Sequence, residues 1–131
     1  MATKSKLIPF GRGVSIAIII LGIIHEIATF TSLIQEGLVC LSPGYFDSVT
    51  YFSLMCGAFL ILSGLLLFIL LKKSEKYPFL YTPILIIGIF LSINGILSVY
   101  YMPDNPFAWM VFILCICILG IILGLKKKLN N

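Results

Sequence analysis

The stretch V-T-Y-F-S-L-M-C-G-A-F-L-I-L-S-G-L-L-L-F-I-L-L at residues 49–71 carries no charge, and K-K-S-E-K follows at once at residues 72–76. An uninterrupted apolar run of about 20 residues is long enough to cross a bilayer core as an α-helix. A basic cluster directly after such a run is retained on the cytoplasmic side. Three more runs have the same character, at residues 14–34, 81–101 and 107–125. Lys4, Lys6 and Arg12 precede the first, Lys72, Lys73 and Lys76 separate the second from the third, and Lys126, Lys127 and Lys128 close the fourth. The other two turns, around Glu36 to Asp47 and around Asp104, contain no Lys or Arg. This alternation predicts an all-α protein, a four-transmembrane-helix bundle with up-down-up-down topology and both termini cytoplasmic.

Composition points the same way. The chain has 131 residues, 60% of them hydrophobic and 11% charged, with a mean hydropathy of +1.15; soluble domains carry about 25% charged residues. Four spans leave only short connections, so a single four-span membrane domain is expected over residues 1–131, with no separate soluble catalytic domain. The net charge of +4 comes from juxtamembrane anchors that attract anionic membrane lipids, and it does not indicate nucleic-acid binding. The basic-then-apolar start has the look of a signal peptide. Its apolar stretch is long and no small-residue cleavage pattern follows, so an uncleaved first span is expected. Prolines fall at the edges of the runs, as do Tyr45, Tyr51, Tyr100, Tyr101 and Trp109, where interfacial aromatics belong.

Lipid gives helices no hydrophobic reason to associate, so membrane helices meet through small residues that let backbones approach. Ser15, Gly22 and Thr29 form such a stripe in the first run, Ser53, Gly57 and Gly64 in the second, and Gly88, Ser92 and Gly95 in the third. The fourth carries G-x-x-x-G at Gly120 and Gly124. Packing within the bundle is the expected use of that motif, with a homodimer through Gly120 and Gly124 as the alternative.

Few residues can carry chemistry. His25 and Glu26 lie about 12 residues into the first run, roughly 18 Å at 1.5 Å per residue, which puts them at or just past the midplane. An ionisable residue at that depth is a functional-site hypothesis by default. His25 shares a helix face with Thr29, and Glu26 points about 100° away. Counting depth along the other runs brings Asn94 and Cys56 to nearly the same level. A ligand-binding cavity lined by His25, Glu26, Thr29, Cys56, Ser92 and Asn94 is therefore expected. The purely structural alternative has His25 bonding a neighbour's backbone and Asn94 joining helices. No catalytic residue, metal ligand set or cofactor motif is expected. The four cysteines include no C-x-x-C, and H-E at residues 25–26 lacks the second His of a zinc helix. The turn at residues 35–48 mixes apolar and acidic residues and is expected either to form a short interfacial helix or simply to close the bundle.

G-I-I-H at Gly22–His25, E-G-L at Glu36–Leu38, Y-F at Tyr51–Phe52, M-P at Met102–Pro103 and N-P-F-A-W ending at Trp109 together resemble a family of small bacterial four-span integral membrane proteins of unknown function. The similarity covers nearly the whole chain through short motifs, with an insertion around Pro106. It implies a multi-pass protein of the bacterial cytoplasmic (inner) membrane and marks His25, and it supplies no activity. The leading functional expectation is a non-enzymatic protein that binds a lipophilic small molecule, lipid or partner in an outward-facing pocket. A proton-coupled transporter using Glu26 is the alternative, since a carboxylate in the first of four short helices is similar to the small multidrug exporters. The strong charge bias fixes one orientation, unlike theirs. A lipid-modifying enzyme with His25 as base stands third.

Overall fold

The computed structural model describes residues 6–129, and the first basic cluster's Lys4 lies outside them. The described chain is helical apart from short connections: α1 (Leu7–Thr29), α2 (Ser32–Leu38), α3 (Pro43–Ser74), a 3₁₀ turn (Pro78–Leu80), α4 (Tyr81–Tyr101) and α5 (Pro106–Leu129). Four of the helices are long and apolar enough to cross a membrane. The chain is thus a multi-pass membrane protein. The end carrying Lys6, Lys72, Lys73, Lys76 and Lys126 is called here the basic end, and the opposite one the far end.

The first helix differs from the apolar run that announces it. It begins at Leu7 rather than at residue 14 and ends at Thr29 rather than at residue 34. Polar flanks continue a helix freely, because Lys and Arg stems lie along apolar surface while their heads reach water. Pro9 is tolerated in the first turn, where its missing N–H has no intrahelical partner to lose. At the other end the chain turns at Phe30 and Thr31. The Thr29 hydroxyl donates to the His25 carbonyl at 2.9 Å, and the Thr31 hydroxyl donates to the Ala28 carbonyl at 2.7 Å. Such bonds offer the backbone an alternative to continuing the helix. The short helix α2 follows, and its Gln35 amide donates to the Thr29 carbonyl at 2.6 Å, satisfying an orphan acceptor at the end of α1.

Two helix pairs make the bundle. α1 packs along α3, and α4 packs along α5; α1 also lies against α5, whereas its contact with α4 is marginal. The α1–α3 seam is made by the small residues. A Cβ on Gly22 would stand 3.0 Å from the Gly57 carbonyl oxygen, and one on Gly64 would stand 2.9 Å from that of Ser15. The two helices are therefore antiparallel and in backbone contact at both points. In the second seam a Cβ on Gly95 would stand 3.0 Å from the Phe112 Cα. Ser92 there donates to the Gly88 carbonyl at 2.8 Å and lies 3.3 Å from the Cys115 carbonyl. Where the pairs meet, Leu67, Leu71, Leu91, Ile118 and Ile122 are fully buried. Gly11 of α1 admits Leu71 of α3 and Ile121 of α5 at 3.1 and 3.2 Å from where its Cβ would be.

The G-x-x-x-G motif divides. Gly124 faces Leu7 of α1, whose Cδ1 would be 3.3 Å from an added Cβ, while nothing lies within 4 Å of one on Gly120.

Candidate functional site

At the far end the α1–α3 seam turns polar. The His25 Nε2 is 3.1 Å from the Ser53 carbonyl oxygen and 3.2 Å from the Ser53 hydroxyl. A carbonyl oxygen only accepts, so Nε2 is the nitrogen that carries a proton and donates to it. The Ser53 and Thr29 hydroxyls are 2.7 Å apart. With the Thr29 proton given to the His25 carbonyl, Ser53 donates to Thr29 and in turn accepts from His25. The result is a closed network of three side chains and two backbone carbonyls, in which the Nε2 proton is shared between the carbonyl and the hydroxyl of Ser53. Thr29 is fully buried within it, and Gln35 of α2 caps it through the Thr29 carbonyl. Interhelical bonds of this kind average about 0.6 kcal/mol in membranes and reach about 1.7 kcal/mol, so the network holds the pair in register more than it strengthens it.

The other face of the His25 ring meets α5. It stacks on Phe107 with ring centroids 5.5 Å apart and planes inclined by 28°. His25 therefore touches both neighbours of α1 at once. Below this stack, toward the basic end, α1 and α5 leave a groove of about 390 Å³ between them. Ala17, Ile20, Leu21 and Ile24 line it from α1, and Met110, Ile113 and Leu114 from α5. Ile20, Ile24, Met110 and Ile113 are all exposed, so the groove opens sideways. Phe107, Met110 and Leu114 share one face of α5 by the i, i+3, i+7 rule. The His25–Phe107 stack thus lies next to the groove on its far-end side.

Glu26 points into the α1–α3 seam instead. Its carboxyl lies over Gly57, where an added Cβ would collide with Oε1 and sit 2.9 Å from Cδ. Only glycine leaves that space. Oε1 is buried and has no hydrogen-bond partner among the described residues, which costs free energy in an apolar setting. Thr50, seven residues before Gly57 on the same face of α3, also has a buried hydroxyl without a partner there.

The six residues expected to line one cavity separate into three places. His25, Glu26 and Thr29 come together on α1, joined by Ser53 and Phe107. Ser92 is buried in the α4–α5 seam. Asn94 is half-buried on α4, and Cys56 is exposed on the outside of α3. Depth counting placed them together because it assigns a level and no azimuth. The level also shifts, since with α1 ending at Thr29, His25 stands one turn from the end of its helix rather than at its middle. Ser53 was legible as a seam residue but not as a histidine partner. Phe107 gave no signal beyond opening the fourth run. Among the described residues, no three His, Cys, Asp or Glu side chains gather as a metal site would need. Comparison with known proteins returns no matching family model, no matching curated protein and no matching solved structure, so the resemblance to the small four-span family rests on its short motifs.

Proposed function

We infer that the protein is a non-enzymatic component of the bacterial inner membrane that holds a lipophilic molecule, a lipid acyl chain or its analogue, in the α1–α5 groove. The basic end faces the cytoplasm, with both termini inside, because its Lys clusters and the absence of Lys and Arg from the far turns follow the positive-inside rule. The groove then lies in the outer half of the membrane, with His25 and Phe107 at its outer limit. The observation that carries the reading is the groove itself, whose volume falls in the ~300–1,000 Å³ range of small-molecule sites. Its lining is wholly apolar, and only a chain or apolar ring gains by entering. The pocket is lateral rather than central, which lets a ligand enter from the bilayer without crossing the bundle. His25 as a catalytic base has less support, since the neighbouring Ser53 hydroxyl gives its proton to Thr29 and not to the ring.

Ala17→Phe fills the groove with a side chain while leaving both glycine seams untouched. Native mass spectrometry of protein extracted from its own membrane is expected to show, on the wild type, a bound lipophile that depends on the groove. The occupied fraction should fall about tenfold in Ala17→Phe, equivalent to ~1.4 kcal/mol of binding. A bare wild type, or equal occupancy in the two proteins, would count against the reading.

A second reading is supported by one atom, the buried and unpartnered Oε1 of Glu26. A membrane carboxyl without a structural partner is what a proton-coupled exporter uses. On that reading Glu26→Gln abolishes substrate-driven proton movement in liposomes while the protein stays folded. Unchanged flux would eliminate it.

A further inference from the structure

Arg12 is the one cation drawn into the helix packing among the described residues, and nothing in the groove reading uses it. It lies six residues from Ile18, the midpoint of α1, about 9 Å along the axis at ~1.5 Å per residue. That is inside the roughly 15 Å half-thickness of a hydrocarbon core. Its guanidinium lies over the Phe68 ring of α3, 4.1 Å from the centroid. Its Nε is buried and has no hydrogen-bond partner among the described residues. A guanidinium does not shed its charge in a protein, so an arginine at this depth is served by reaching the headgroup level and an anion there rather than by neutralisation. Stacking on Phe68 covers one face of the group, and its terminal N–H donors keep the planar fork geometry that matches a phosphate.

The membrane supplies such an anion at this height, the phosphodiester of a phospholipid. Lys72 follows Phe68 by four residues on the same face of α3 and is exposed, one turn nearer the basic end. Toward the middle of the membrane, exposed Ile16 on α1 and exposed Leu65 on α3 continue the same two faces as apolar surface. We propose that Arg12, held flat on Phe68, and Lys72 bind the phosphate of an anionic phospholipid on the outside of the α1–α3 pair, with the acyl chains lying along Ile16 and Leu65. Two cations facing one phosphodiester favour a lipid of net negative charge. A zwitterionic lipid brings an ammonium of its own into the same site.

The test uses the purified protein in detergent with equal amounts of phosphatidylglycerol and phosphatidylcholine of matched chains, read by native mass spectrometry. The wild type is expected to retain one phosphatidylglycerol in preference to phosphatidylcholine. Arg12→Gln should lower that retention about tenfold or more, as loss of a charged hydrogen-bond donor does. Arg12→Lys, which keeps the charge and loses the stacked fork, should fall between them. Lys72→Gln removes an exposed residue, so it reads the site even if Arg12→Gln does not fold; weakened retention of phosphatidylglycerol is expected from it. Millimolar inorganic phosphate should leave the lipid bound. Displacement by inorganic phosphate would assign the site to a soluble anion and overturn the lipid. Equal retention of both lipids by the wild type, or unchanged retention in Arg12→Gln or Lys72→Gln, would overturn the site itself. Ala17→Phe should leave this retention intact, which separates its failure from that of the groove.

Discussion

Gly64→Leu is expected to destabilise the bundle more than any other single substitution in its glycine seams. The Cβ alone would stand 2.9 Å from the Ser15 carbonyl oxygen and 3.2 Å from the Ile19 nitrogen. Both are backbone atoms of a helix and cannot swing away. The remaining leucine atoms have nowhere to go unless α1 and α3 separate, and separation also opens the Gly22–Gly57 contact two turns away. Overpacking of well-filled sites costs ~1–3 kcal/mol and occasionally more, so about 3 kcal/mol is expected here. Even Gly64→Ala should be unfavourable, since the clash outweighs the roughly 1 kcal/mol that alanine gains over glycine in a helix. Gly120 provides the opposite sign. Nothing lies within 4 Å of a Cβ there, so Gly120→Ala should be neutral or slightly stabilising. Thermal unfolding followed by helical circular dichroism in detergent compares the three. A Gly64→Leu protein that melts with the wild type would show that the seam is not where α1 and α3 meet.

Gly57→Ala is expected to expel the Glu26 carboxyl. The new methyl group would occupy the place of Oε1 and press on Cδ at 2.9 Å and Cγ at 3.0 Å. Glu26 is flexible enough to leave, but leaving moves a carboxyl from the seam toward lipid or the far interface. A cost of about 1–3 kcal/mol is expected from crowding the site. Glu26→Ala empties the same space, so Gly57→Ala in that background should cost little. The coupling between the two sites, read from a double-mutant cycle of unfolding free energies, should then be about 1 kcal/mol or more, the size found for residues in contact. Additive effects would mean that the carboxyl does not depend on Gly57 for its place. A coupled pair would show that Gly57 serves Glu26 as well as the helix contact.

The seams were legible because small residues at helical spacing in an otherwise bulky apolar run have few uses other than packing. Ser15, Gly22 and Thr29 meet Ser53, Gly57 and Gly64, and Gly88, Ser92 and Gly95 line the other interface. Which stripe faces which was not legible, since Ser92 and Ser53 are equivalent as sequence while only Ser53 stands beside His25. The position of α1 differs from the one hydropathy gives, because Lys6 and Arg12 end an apolar run without ending a helix. That difference of one to two turns moved His25 from the end of its helix to the middle of the membrane. His25 bonding a neighbour's backbone was the plainer of its two expected roles, and Ser53 provides that backbone. The groove left no mark in the sequence. Ile20, Ile24, Met110 and Ile113 read as ordinary lipid-facing residues, and the space between them is a property of how α1 and α5 pair, which sequence does not show.

Arg12 illustrates a different limit. In sequence it is one member of a basic flank and its charge speaks only of orientation. In the bundle it is the member that sits one helical turn inside, flat on Phe68, where its charge needs a specific answer. Lys126, nearer the basic end on α5, is exposed and lies 6.0 Å from the Tyr81 ring centroid, so water and headgroups can serve it without a built site.

The most direct test of the groove is photolabelling in the membrane with a phospholipid that carries a diazirine on its acyl chain, followed by peptide mapping. The wild type should be labelled mainly on the faces of Ile20 and Ile24 in α1 and Met110 and Ile113 in α5, with Ala17→Phe losing that labelling. Leu62 and Leu66, exposed on α3 away from the groove, should be labelled only at the background of passing lipid. Equal labelling of all three faces, unaltered by Ala17→Phe, would contradict a lipid-holding groove between α1 and α5.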